Sequence, residues 1–151
     1  MDMKNEGVRK DARKMQDSLE KIHRGLFSQV LGELNKDKVS LAQYNLLSVL
    51  ADEGVCKMSR VAGCLYVTTS AVTAMTDRLA RKKMLRRRRS RRDRRIVEIA
   101  ITAKGREMVV KIRRYVENFY IPILKSLGRK NCRELVELQE KMCRFIGCPG
   151  K

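Results

Sequence analysis

The chain contains no tryptophan and only 5% aromatic residues, and it has a single histidine in 151 residues. So few aromatics leave no stacking platforms of the kind that grip successive bases of a single strand, and they lean the fold towards aliphatic helices. The lone His23 has no evident Cys, Ser or acidic partner. No phosphate-binding glycine loop or metal motif accompanies it, so enzymatic chemistry is not expected. No apolar run approaches the ~20 residues needed to span a bilayer. The segment Met1 to Asp11 is too polar for a signal peptide, and a cytoplasmic protein with no membrane partner is the expectation. The five cysteines (Cys56, Cys64, Cys132, Cys143, Cys148) are odd in number and include no C-x-x-C pair. They read as free thiols of a reducing compartment, with no metal and no cofactor implied.

Acidic residues are the other shortage: 17 against 35 basic ones, for a net charge of +18 and a pI near 10.2. A surplus that large calls for a polyanionic partner, nucleic acid before an anionic membrane. It is also localised, with twelve basic residues and one acid between Arg78 and Arg95. A membrane-surface role would place the cations along one face of an amphipathic helix. Here they crowd a hairpin.

Apolar periodicity organises what is there. Met15, Leu19, Ile22, Leu26, Phe27, Val30, Leu31 and Leu34 recur at steps of three and four, predicting a first helix. After a polar break at Asn35 to Lys38, Ser40 and Gln43 form a capping box that opens a second helix, ended by Gly54. A short helix from about Ser59 to Leu65, a turn at Tyr66-Val67 and a longer helix from Thr69 to about Lys83 make a helix-turn-helix. Val72, Met75 and Leu79 are spaced to face the core, leaving Thr69, Ser70, Thr73, Ala74, Thr76, Asp77 and Arg81 outward. Strands at Leu85 to Arg89 and Ile96 to Ile101 bracket a loop, and eight arginines fall in the ten positions Arg86 to Arg95. Arginine suits phosphates and the narrow minor groove. Two further helices follow, one from near Thr102 that Pro122 is expected to kink and one opening at Asn131 with Glu134. Their long apolar stripe, with that of the first helix, points to burial against a second copy.

From Ser40 to Gly105 the chain resembles the MarR family. Leu41-Ala-Gln-Tyr-Asn-Leu-Leu resembles that family's second helix, and Val61-Ala62 with Leu65 and Val67 its positioning helix and turn. Ser70-x-Val72-Thr73 with Asp77-Arg78-Leu79 resembles its recognition helix. Arg87-Arg88, Asp93-Arg94-Arg95 and Thr102-x-x-Gly105 resemble its wing and exit. The resemblance implies a mainly α fold with a small β-hairpin wing. A winged helix-turn-helix lobe at 39–103 would lie between dimerisation helices at 1–38 and 104–151. It further implies a homodimer on double-stranded DNA, with recognition helices in successive major grooves and wings in flanking minor grooves. The operator would be pseudo-palindromic, with half-sites about 10 bp apart.

On that reading Ser70 and Thr73 meet base edges or phosphates, Thr68 and Thr69 meet phosphates, and Arg81 joins them. Arg87, Arg88, Arg91, Arg92, Arg94 and Arg95 serve the wing, with Asp93 orienting an arginine. The family's frequent release by small phenolic or lipophilic ligands makes His23 the candidate ligand contact. Its oxidation-sensing members make Cys56 the redox candidate. The rival class is a non-specific architectural nucleic-acid-binding protein. Two departures stand out. Lys83 occupies a position where the family commonly has glycine, at a cost of roughly 1 kcal/mol if left-handed. The wing carries Ser90 and arginines where relatives often have acids and prolines.

Overall fold

The computed structural model describes residues 3–90 and 93–146, which fall into two compact units, residues 1–113 and 114–151. The first unit holds α1 (Met3–Lys36), α2 (Leu41–Glu53), β1 (Cys56–Lys57), α3 (Met58–Leu65), α4 (Thr69–Arg81), β2 (Leu85–Arg89) and β3 (Val97–Ile101). It ends with the start of α5 (Ala103–Phe145). The strands make one antiparallel sheet in the order β1-β3-β2, with Leu85 opposite Ile101, Arg88 opposite Glu98 and Cys56 opposite Ile99. The hairpin lies where the sequence places it. Strand β1 is an addition that the sequence did not announce.

The starts of α2 and α4 have a local cause in a side-chain cap. Ser40 caps α2 in a full capping box: its hydroxyl accepts the Gln43 N–H while the Gln43 carboxamide oxygen accepts the Ser40 N–H at 3.0 Å. Thr68 caps α4, its hydroxyl accepting the Ala71 N–H at 3.2 Å. Helices α1, α3 and α4 all stop in one way. A left-handed residue, Lys38 (φ 52°), Tyr66 (φ 53°) or Lys83 (φ 60°), turns the chain back. The next residue's N–H then reaches five positions back, Val39 to Leu34, Val67 to Ala62 and Met84 to Leu79. None of the three is glycine, so each costs roughly 1 kcal/mol of backbone strain.

The core of this unit is aliphatic. Leu34, Leu46, Leu47, Leu50, Val61, Val72, Leu79, Ile99 and Ile112 are sealed from solvent. Three helices thus close over the buried side of the sheet. The stripe of α1 is buried only at Val30 and Leu34, while Met15, Leu19, Ile22, Phe27 and Leu31 stay exposed.

Helix α4 corrects the sequence expectation at one position. Its buried line is Val72, Thr76 and Leu79, with Met75 half-buried. Thr76, expected to face outward, has no exposed surface, and among the described residues its Oγ1 has no hydrogen-bond partner. An aliphatic stripe can absorb a threonine methyl, but its unpaired hydroxyl carries a desolvation cost. Replacing it with an apolar group of the same shape removes that cost. Thr76→Val is therefore expected to stabilise the fold by about 1 kcal/mol. Urea unfolding will read this as a higher midpoint at unchanged slope; an unchanged or lower midpoint would count against the orphaned hydroxyl.

In the second unit the interruption of α5 is Gly128 (φ 74°, ψ 162°), with helix on either side. Pro122, the expected kink, lies inside helical backbone, and Gly128 is the residue with non-helical angles. Asn131 does not cap a new helix. Its side-chain amide donates back to the Leu127 carbonyl at 3.0 Å, bridging the break from the far side. Ile121, Ile123, Leu127, Leu135, Leu138 and Met142 are exposed along this unit. Among the described residues no helix is long and apolar enough to cross a membrane.

Candidate nucleic-acid interface

The exposed side of α4 is built from short hydroxyl side chains. Thr68, Thr69, Ser70 and Thr73 are all exposed, and the hydrogen bonds limit what each can still do. Thr73 Oγ1 donates to the Thr69 carbonyl at 2.9 Å, so its proton is used and its lone pairs remain. Such an oxygen can accept from a base amino group. Thr68 Oγ1 and Ser70 Oγ lie 2.9 Å apart, sharing one proton between them. The pair therefore keeps one O–H free to donate to a phosphate.

The wing arginines divide into braced and unbraced ones. Successive residues of β2 point to opposite faces of the hairpin. Arg87 turns towards α4, where it pairs with Asp77 at 2.8 Å and donates to the Thr73 carbonyl at 3.4 Å. Arg88 turns the other way and pairs with its cross-strand neighbour Glu98 at 3.0 Å. Half-exposed ion pairs of this kind contribute little to stability, about 0–1 kcal/mol each. Their effect is geometric, tying the hairpin to α4 and strand to strand. At the tip, Asp93 accepts the Arg95 N–H at 2.9 Å, with the Arg95 Nε at 3.9 Å, and its carbonyl accepts the Ile96 N–H at 3.0 Å. Arg94 and Arg95 are exposed, Arg95 almost completely. Arg91 and Arg92 lie outside the described residues.

Arg81 is exposed near the end of α4 and belongs to a group that sequence reasoning did not assemble. Lys38, Ser40, Gln43, Arg78, Arg81 and Lys82 line one open cleft of about 440 Å³ between the start of α2 and the end of α4. The capping box and the basic run were each visible in the sequence. Their meeting was not, because about 40 residues separate them.

The two low-lying candidates fare differently. His23 is on the exposed side of α1 with its ring edge-on to Phe27, centroids 5.9 Å apart. Cys56 is a correction. An oxidation sensor needs an exposed, acidic thiol, and Cys56 is buried with Sγ 3.6 Å from Glu53 Oε2. Burial first and the Glu53 carboxylate second push this thiol up to about 11. Cys64 shares the same carboxylate at 3.5 Å and is also raised, mainly by burial. Alkylation with iodoacetamide at pH 8, followed by peptide mass spectrometry, is expected to label exposed Cys143 first and Cys56 last among the four described cysteines. Early labelling of Cys56 would restore it as a reactive thiol.

Comparison with known proteins agrees with this architecture. Residues 39–97 match the MarR family. The HTH-type transcriptional regulator YpoP of Bacillus subtilis (strain 168) is 30% identical over 127 residues, covering 82% of this chain and 90% of its own length. The HTH-type transcriptional repressor MdtR of the same organism is 33% identical over 88 residues, 58% of this chain and 57% of its own. Among solved structures, a MarR family protein from Bacillus stearothermophilus superposes with a TM-score of 0.82 at 17% identity, over 92% of this chain and 97% of that one. A mutant of S. aureus MepR bound to an oligodeoxyribonucleotide superposes with a TM-score of 0.66 at 18% identity, over 87% and 97% of the two chains.

Proposed function

The chain belongs to the MarR family of helix-turn-helix transcriptional regulators, and from that premise we propose that it is a sequence-specific double-stranded DNA-binding repressor acting in the cytoplasm. The observation that carries this reading is the exposed side of α4. Small hydroxyls open that helix, the basic residues Arg78, Arg81 and Lys82 close it, and an arginine-rich hairpin is braced against it by the Arg87–Asp77 pair. Short side chains let the helix backbone approach base edges in the major groove, and exposed arginines at the hairpin tip suit phosphates and the minor groove. The oligodeoxyribonucleotide on the MepR mutant supports the same use of the fold.

The working unit is a homodimer. The apolar side chains left exposed on α1 and along residues 121–142 are what a second copy would cover. A two-fold dimer then reads a pseudo-palindromic operator with half-sites about 10 bp apart. Release by a small phenolic or lipophilic effector completes the proposal, with His23 as a candidate contact.

Fluorescence anisotropy on the protein's own upstream intergenic DNA and on a scrambled duplex, across a salt series, tests it. An advantage of ~10³ for the native DNA at physiological salt is the expected result. Equal binding, with both duplexes released together as salt rises, would replace specific regulation by the architectural reading.

A further inference from the structure

We infer that Cys56 and Cys64 together form a binding site for one soft, thiol-seeking cation that takes two sulfur ligands in line. Both thiols converge on a single carboxylate. Cys56 Sγ lies 3.6 Å from Glu53 Oε2 and Cys64 Sγ lies 3.5 Å from Glu53 Oε1, so the sulfurs sit against neighbouring oxygens of one group. Three elements bring them there: Glu53 ends α2, Cys56 opens β1 and Cys64 lies in the last turn of α3. No C-x-x-C spacing announces the pair, because the fold brings the two cysteines together across a strand and a helix.

The donor set decides the class of cation. Among the described residues no group of three or more His, Cys, Asp or Glu is arranged to hold a metal ion. A tetrahedral zinc set and an oxygen cage for calcium are thus both missing from this place. Glu53 is not a free ligand, because the Arg60 guanidinium grips both of its oxygens, Nε at 3.0 Å and a terminal nitrogen at 2.8 Å. What remains is two sulfurs, the donors that select soft cations over hard ones. A filled-shell cation of the Ag(I), Cu(I) or Hg(II) kind is satisfied by two thiolates.

Burial suits this use. Cys56 is 5% exposed and Cys64 is half-buried, so the way in is from the Cys64 side. Thiols that hold their protons react slowly with oxidants, yet a soft cation displaces the protons as it binds. Two thiols and one Ag(I) give one bis-thiolate complex and two protons released to solvent, and nothing is oxidised or reduced. The complex carries one negative charge. Arg60 offsets it at close range, in a chain of net charge +18. Strand β1 pairs with β3 of the wing hairpin and α3 leads into α4, so a bound cation straps the sheet to the helix-turn-helix. Cation binding does not depend on the DNA-binding reading, and either can fail alone.

The test uses the full chain with Cys132, Cys143 and Cys148 replaced by serine, which leaves only the pair. Ag(I) is the probe, in chloride-free buffer with imidazole as competitor, followed by near-ultraviolet charge-transfer absorbance. One Ag(I) per chain is the expected result. The affinity is expected to fall about 10²-fold or more in Cys64→Ser and in Cys56→Ala, because a second sulfur held in place acts at high effective concentration. Thermal unfolding gives an independent reading. Ag(I) is expected to raise the melting temperature of the chain that keeps the pair and to leave both single-cysteine variants nearly unmoved. Two ions per chain, or single-cysteine variants that bind as tightly as the pair, would show that the thiols act separately and overturn the inference. Absence of binding to the pair overturns it as well.

Discussion

Gly105→Ala is expected to unfold the chain roughly 10 °C early, a loss of about 3–5 kcal/mol. A Cβ at this position would overlap the main-chain carbonyl of Met84 and sit 2.9 Å from Ile101 Cγ1. Neither can retreat easily. The Met84 carbonyl also accepts the Thr102 N–H at 3.1 Å, and Thr102 Oγ1 donates to the Lys83 carbonyl at 2.7 Å. The same hydroxyl accepts the Gly105 N–H at 3.2 Å. Four residues from the end of α4, the end of β3 and the start of α5 are thus stitched together over one missing side chain. The matched control is Gly63→Ala in α3, where an added Cβ meets nothing within 4 Å. It is expected to be neutral or slightly stabilising, since alanine is the better helix former. Thermal melts followed by circular dichroism separate the two; equal melting of both variants would show that the junction yields.

The second large effect is electrostatic. Replacing Arg94 and Arg95 together with alanine removes two exposed cations per chain, four from the proposed dimer. It is expected to flatten the plot of log K against log salt by roughly 3 to 4, at ~0.9 per phosphate contact. At physiological salt the affinity is expected to fall about 10²-fold or more, on operator and scrambled DNA alike, because phosphate contacts carry no sequence information. Arg87→Ala behaves otherwise. It frees Asp77 beside the recognition face and loosens the hairpin from α4, so it is expected to alter operator preference as well as affinity. If the double variant kept the parent's salt slope, the wing tip would not be touching DNA.

Much of this architecture is visible in local sequence because local interactions cause it. The capping box at Ser40 and Gln43 needs only four residues to declare α2. The hairpin is bounded by its own alternation and by Ser90, whose N–H reaches the Ile96 carbonyl at 2.9 Å. What escapes the sequence is set by distant partners. Strand β1 is two residues long and exists only because Cys56 and Lys57 pair with Ile99 and Glu98. Thr76 reads as a surface hydroxyl because composition cannot reveal that Val72 and Leu79 carry it into the core. Pro122 reads as a kink from its missing N–H, yet the backbone breaks at Gly128, where glycine allows the positive φ. The cleft around Gln43 escaped for the same reason as β1. Its lining comes from the start of α2 and the end of α4, which meet only in three dimensions.

The left-handed helix ends set robustness against reach. Glycine at 38 and 83 would relax the backbone, and it would also delete two cations, one of them on the wall of the cleft between α2 and α4. At position 66 the same exchange would delete a tyrosine ring that is 96% exposed. The chain therefore accepts backbone strain at three positions where it holds long side chains at its surface. A variant with glycine at all three positions would make a sturdier scaffold and a poorer polycation. Selection for heat resistance alone would drive the sequence towards it, and selection for grip on a polyanion would drive it back.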